Sequence, residues 1–216
     1  MSTGQLTEAL IDPRAERAGS RARRTLLLLA LVCALPVVAS YLAFYFWPPS
    51  GRVNHGELLV PAALPTGPLA GIGGQAPLRR AELEGRWTLV YVGSAGCDRA
   101  CETSLYAMRQ ARLAQGKEQA RVGRLWLLAD GGQPRREITS LHPDLRLAPA
   151  VDDWLAQLPG AARGVHLYLV DPLGNVMMRF PPVTDGDAAA AEVRGIVKDL
   201  QRLLKYSALG RSEGRE

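Results

Sequence analysis

Between Thr25 and Trp47 the chain reads TLLLLALVCALPVVASYLAFYFW, 23 residues without a charged side chain. About 20 apolar residues in helical geometry span a bilayer's hydrocarbon core, so this run dictates a membrane-crossing helix before any other part of the fold is decided. Tyr41, Tyr45 and Trp47 gather at its C-terminal end, where amphipathic rings suit the headgroup interface. Pro36 lies mid-span, a kink that membrane helices tolerate. Arg14, Arg17, Arg21, Arg23 and Arg24 precede the span, and within about 20 residues after it only Arg52 follows. This bias predicts a cytoplasmic tail at 1–24, a transmembrane helix at 25–47 and the remaining chain outside the cytoplasm. A cleaved signal peptide is the competing reading. Leu26–Val38 has the length of an h-region and Val37-Val38-Ala39 resembles a cleavage site, but the apolar run continues for eight residues past Ala39. Both readings export the main domain. An Arg-rich tail and an outer compartment that permits disulfides suggest a bacterial inner membrane facing the periplasm.

The 216 residues leave room for one ordinary domain beyond the span, and 47% hydrophobic content is enough to build its core. The net charge of +5, from 26 Lys and Arg against 21 Asp and Glu, is too mild for a nucleic-acid binder, whose basic residues would be denser and interleaved with aromatics. Three cysteines are too few for a disulfide-framed mini-protein. The chain lacks a Walker loop, G-x-G-x-x-G, H-E-x-x-H and any internal repeat, the usual signals of nucleotide enzymes, zincins and solenoids.

Residues 48–76 are rich in Pro and Gly and nearly uncharged, as a linker or an extended segment along a partner would be. Within them Asn54–Pro61 (NHGELLVP) is more specific than a spacer needs and fits an edge strand. A globular domain is expected over 77–206, with a flexible tail at 207–216. Trp87–Gly93 is a nearly all-apolar run, the pattern of a buried central strand. A helix follows from Asp98 to about Gln115, with Asp98 and Glu102 in its acid-favouring first turn. Val122–Ala129 reads as a second strand, 131–149 as unassigned loop, and Ala150–Leu158 as a short helix. Val165–Val170 and Asn175–Phe180 read as strands hairpinned through the turn Asp171-Pro172-Leu173-Gly174. Asp187–Tyr206 closes the domain as an amphipathic helix. The expected fold class is α/β, a small mixed sheet flanked by helices and preceded by one transmembrane helix.

Cys97 and Cys101, in C-D-R-A-C, sit where the first central strand gives way to a helix. Positions i and i+4 share a helix face with Cβ atoms about 5–6 Å apart, so modest unwinding permits a disulfide, and two thiolates could instead hold a soft ion such as Cu(I). The helix N-terminus and Arg99 favour a thiolate at Cys97. A static disulfide or two buried apolar cysteines are the bland alternatives. Cys33, in the span, reads as a packing residue.

Leu83–Cys97 (LEGRWTLVYVGSAGC), the C-x-x-x-C spacing and Leu167–Val176 (LYLVDPLGNV) resemble the thioredoxin-like superfamily, and within it the Sco/SenC group of membrane-anchored copper proteins of cytochrome c oxidase assembly. The resemblance covers about Ala81 to Leu204. It implies a thioredoxin-like fold, Cys97 and Cys101 as catalytic or copper-ligating residues, Cu(I) as cofactor, and a respiratory oxidase subunit or another periplasmic thiol protein as partner. Two features depart from that group. It usually has prolines in and after the cysteine motif, and it carries a ligand histidine about eight positions before the strand's aspartate. Here that position is Arg163. His166, on the third strand, is the candidate third ligand, with His142 and His55 behind it. Thioredoxin relatives also place a cis-proline near the spot occupied here by Val165.

Three functions therefore compete. One is an oxidase assembly factor that passes copper or keeps copper-site cysteines reduced. The second is a general thiol–disulfide oxidoreductase, and the third a non-catalytic scaffold. The acid pair Asp152-Asp153 and the basic pairs Arg79-Arg80 and Arg135-Arg136 read as solvated surface charges.

Overall fold

The computed structural model describes residues 13–46, 54–161, 164–183 and 187–207, which fall into two units, one ending at Arg52 and one beginning at Val53. In the first unit a single helix, α1 (Pro13–Phe46), contains the apolar stretch Arg23–Phe46, 24 residues of mean hydropathy 2.5. At about 1.5 Å per residue that stretch exceeds the roughly 30 Å of a bilayer's hydrocarbon core. Its side chains are exposed all round, unlike those of a soluble core helix. Length and apolarity fit a membrane anchor and a signal segment alike.

The second unit is a six-stranded mixed sheet. Its strands are β1 (Glu57–Ala63), β2 (Trp87–Gly93), β3 (Val122–Leu128), β4 (Arg146–Pro149), β5 (Leu167–Val170) and β6 (Asn175–Phe180), in spatial order β1-β6-β5-β2-β3-β4. β2, β3 and β4 run parallel, β5 pairs antiparallel with β2, β6 with β5, and β1 with β6. The helices are α2 (Arg99–Leu113), α3 (Arg136–Leu141), α4 (Asp152–Leu155) and α5 (Asp187–Tyr206).

Every residue of β2 is buried because both of its faces are covered. Leu89 and Tyr91 join the core that includes Leu105 and Met108 of α2, Trp126 of β3, and Ile196 and Leu200 of α5. Val90 and Val92 face the opposite core with Leu64, Leu78, Leu125, Trp154 and Tyr168. The period-two alternation of a strand thus becomes a continuous apolar run in sequence. The α/β mixed-sheet expectation holds, as does the hairpin. Asp171 accepts from the Leu173 and Asn175 amides at 2.9 and 2.8 Å, and Gly174 adopts φ +81°, a left-handed conformation that glycine enters without strain.

Two stretches differ from the sequence reading. The segment read as a linker at 48–76 is, from residue 54 on, part of the domain: the edge strand expected at Asn54–Pro61 is β1, and beyond it Leu64, Leu69 and Ile72 are buried. Residues 47–53 of the expected span and linker, and the expected tail from 208, lie outside the described residues. The stretch left as loop at 131–149 contains α3 and the edge strand β4.

Candidate functional site at the head of helix α2

β2 and β3 are parallel neighbours, so the loops at their C-terminal ends emerge side by side. Asp130, just past β3, reaches the loop after β2. Its carboxylate accepts from the Ser94 hydroxyl at 2.6 Å, from the Ala95 amide at 3.1 and 3.2 Å, and from the Gly132 amide at 3.1 Å. These hydrogen bonds, the one from Ser94 foremost, hold its pKa down at about 2. The loop then turns through a bond from the Cys97 amide to the Ser94 carbonyl at 3.1 Å. Cys97 is the only non-glycine residue with positive φ among the described residues, at +41°. A left-handed conformation costs a residue with a Cβ of order 1–3 kcal/mol and persists only where its surroundings enforce it.

Asp98 caps α2, accepting from the Cys101 amide at 2.9 Å. One donor that the helix mouth would offer to a thiolate is therefore taken by a carboxylate. Cys97 and Cys101 form a disulfide, with Cα atoms 5.1 Å apart. The unwinding that brings them together is the left-handed turn at Cys97, just outside the helix proper. Both residues are buried, 3% and 2% exposed, yet Cys97 borders an open cleft of about 630 Å³ with Asp98, Arg99, Glu102, Tyr106 and Arg135. Cys101 does not border it.

Arg135 enters from the loop before α3. Its guanidinium donates to the Cys97 carbonyl at 3.2 Å and to Glu102 at 3.0 Å. The sequence reading placed Arg135 among solvated surface pairs; its side chain is exposed, and it also borders the cleft. On β2, Tyr91 donates to the Gly164 carbonyl at 2.9 Å. Burial, aided by the nearby charge of Asp98, pushes its pKa up to about 12 and keeps it a neutral donor.

The histidines lie elsewhere. His166 falls one residue before β5 and donates from Nδ1 to the Phe180 carbonyl at 3.0 Å. It does not border the cleft. His142 accepts at Nδ1 from Arg124, 3.2 Å away, because a guanidinium has no lone pair to offer. Burial first, then the charges of Arg124 and Arg109, bring the His142 pKa down to about 4. His55 bonds Glu192 of α5 at 2.6 Å. Among the described residues no cluster of three or more His, Cys, Asp or Glu is arranged to hold a metal ion. No cis peptide occurs among them either.

The sequence profile of a family described as transmembrane-like, thioredoxin-like, C-terminal domain matches residues 87–207, from the first residue of β2 to just past α5. The chain belongs to this family. Its transmembrane-like, thioredoxin-like domain is similar to solved Sco structures. Apo Sco1 from Thermus thermophilus is 21% identical with a TM-score of 0.52, the match covering 71% of this chain and 99% of that one. Yeast Sco1 is 19% identical with a TM-score of 0.50, covering 73% and 99%. These likenesses establish the thioredoxin-like fold. No curated protein matches the sequence.

Asp130 and Arg135 escaped the sequence reading. A signal existed for Asp130: the strand ends Gly93-Ser94 and Leu128-Ala129-Asp130 belong to adjacent parallel strands, whose C-terminal loops converge on binding sites in α/β sheets. Arg135 had none, since its position depends on the path of the loop that carries it.

Proposed function

We propose that this protein is a membrane-anchored, periplasmic thiol–disulfide exchange factor that keeps the copper-site cysteines of a respiratory oxidase reduced. The observation that carries the reading is the asymmetry of the pair: the Cys97–Cys101 disulfide stands at the head of α2 with Cys97 alone bordering a cleft. The sequence resemblance of Leu83–Cys97 and Leu167–Val176 to the Sco/SenC group supports the choice of client. The span at 25–47 with its arginines on the N-terminal side supports the compartment.

In the reduced protein the Cys97 thiolate attacks one sulfur of a client disulfide. A mixed disulfide forms and the client's other sulfur leaves as a thiolate. Cys101, shielded from the cleft, then attacks the Cys97 sulfur, which closes the internal disulfide and releases the client's second thiol. Two electrons and two protons pass to the client, and a dithiol protein must return them before the next cycle.

Copper capture asks for more than the site holds. Two thiolates suit Cu(I), but no imidazole borders the cleft and no third donor completes a cluster among the described residues. The donor set does not fit a resident metal, and no step is routed through one.

The test uses the full-length chain in detergent. Reduced protein should reduce a peptide disulfide of the C-x-x-x-C type, and Cys97→Ser should abolish this, whereas Cys101→Ser should accumulate the mixed disulfide. Anaerobic Cu(I) titration of the reduced chain should show no stoichiometric binding that depends on Cys97. Tight, Cys97-dependent binding together with absent exchange would overturn the proposal in favour of copper transfer.

A further inference from the structure

We propose that Arg135 is a positioning residue that clamps the Cys97 peptide in its left-handed conformation and thereby favours the closed disulfide over the dithiol. The inference rests on the redox reading above and adds a residue that neither the cysteine motif nor the family match assigns.

Three constraints meet at Cys97. Its amide is tied to Ser94, its sulfur to Cys101, and its carbonyl to the Arg135 guanidinium at 3.2 Å. The φ of +41° is strained for a residue with a Cβ. Opening the disulfide removes one constraint, and without a second the backbone relaxes toward ordinary φ. Relaxation lowers the free energy of the dithiol alone, so a clamp that survives reduction opposes it and keeps the two sulfurs aligned for closure.

The alternative role for a cation here is to stabilise a Cys97 thiolate. The surroundings argue against it. Arg135 is already paired with Glu102 at 3.0 Å, its side chain is 56% exposed, and Asp98 adds a second carboxylate to the cleft beside Arg99. A neutralised, solvent-screened guanidinium contributes little field at the sulfur, whereas its hydrogen bond to the carbonyl is direct. The two roles predict opposite signs. Loss of a clamp shifts the equilibrium toward dithiol, while loss of a thiolate-stabilising charge shifts it toward disulfide.

The experiment equilibrates the full-length chain in detergent with glutathione buffers at one pH and counts thiols by alkylation and mass. Arg135→Gln should favour the dithiol about fivefold over wild type, the low end of the strain that the unclamped dithiol releases at Cys97. Arg135→Lys, which keeps a donor, should recover part of the shift. Glu102→Gln, which leaves the guanidinium and its bond to the carbonyl in place, should move the equilibrium by less than twofold. The oxidised variants should still melt cooperatively, Arg135→Gln lower by no more than a few degrees for the bond it loses. An unchanged equilibrium in Arg135→Gln, or a shift toward disulfide, overturns the clamp while leaving thiol exchange intact. A wild-type disulfide that excess dithiothreitol does not open overturns the redox reading and the clamp with it.

Discussion

His142 offers the most quantitative check of the fold around the site. It is buried at the end of α3 and accepts from Arg124 of β3, whose fully buried guanidinium is also paired with Asp144. Arg109 and Arg112 of α2 face the same cluster, Arg112 through its own bridge to Asp144 at 3.0 Å. Protonating the imidazole would put a fourth cation among these and destroy its acceptor. The folded-state pKa of about 4 lies below the ordinary 6.5, so the unfolded chain takes up the proton first. Stability is therefore full above about pH 6.5, falls as pH is lowered, and has lost the whole contribution below about pH 4. Linkage between those two values gives a loss of about 2 kcal/mol at pH 5 relative to pH 7.5. Solvent reaching Asp144 trims this to about 1–2 kcal/mol. His142→Gln keeps an acceptor for Arg124 but does not titrate. The fixed cost of the substitution sets only a constant offset between the two profiles. What is diagnostic is the difference in slope, about 3–8 °C of extra melting-temperature loss in wild type between pH 7.5 and 5. Tryptophan fluorescence of the full-length chain in detergent reports the transition through buried Trp126 and Trp154. Parallel pH profiles would refute the assignment of a neutral, Arg-bonded imidazole.

Two further outcomes are expected. Asp98→Ala removes the cap that holds the Cys101 amide and should cost about 1 kcal/mol, read as a lower melting temperature, with faster opening of the disulfide by dithiothreitol. Leu105→Ala, at a fully buried position of α2 against the sheet, should cost about 2–5 kcal/mol by urea unfolding in detergent, while leaving the order of thiol reactivity at Cys97 and Cys101 unchanged.

The parts of the fold that were legible in the sequence are those with a local signal of their own, whether an apolar run, a turn or a helical period. The all-apolar β2, the Asp171–Gly174 hairpin and the amphipathic α5 each carry their environment in their own residues. α3 and β4 do not. α3 is six residues long, and β4 is four residues, Arg-Leu-Ala-Pro, whose extended form comes from pairing with Leu125–Leu128 of β3. β1 was half visible: its Pro61 suggests a linker, yet a proline is tolerated at a sheet edge, and here it falls in the irregular stretch between Leu58 and Ala62. At the site, the cysteine spacing and the capping acid are local and could be read. The contacts of Asp130 with Ala95, and of Arg135 with Cys97, join residues 35 and 38 positions apart, and only the sheet topology brings them together.

The same topology decides which side chains surround the cysteine pair. A copper site and a disulfide exchanger can share two cysteines at a helix head, and they differ in what surrounds them. Here the Nδ1 of His142 is committed to Arg124, His55 to Glu192, and His166 donates from Nδ1 to a backbone carbonyl beside the β5–β6 hairpin. Cys97 instead meets carboxylates and guanidiniums, from Asp98, Glu102, Arg99 and Arg135, with Tyr106 exposed on the rim. Under the exchange role proposed above, this wall of mixed charge would meet a polypeptide client that carries its own charged side chains. For such a client the exposed Tyr106 ring would add apolar contact area beside Cys97 at little entropic cost. Substituting Tyr106→Ser should therefore weaken exchange with a peptide client while leaving reduction by dithiothreitol, which needs no such docking, at its wild-type rate.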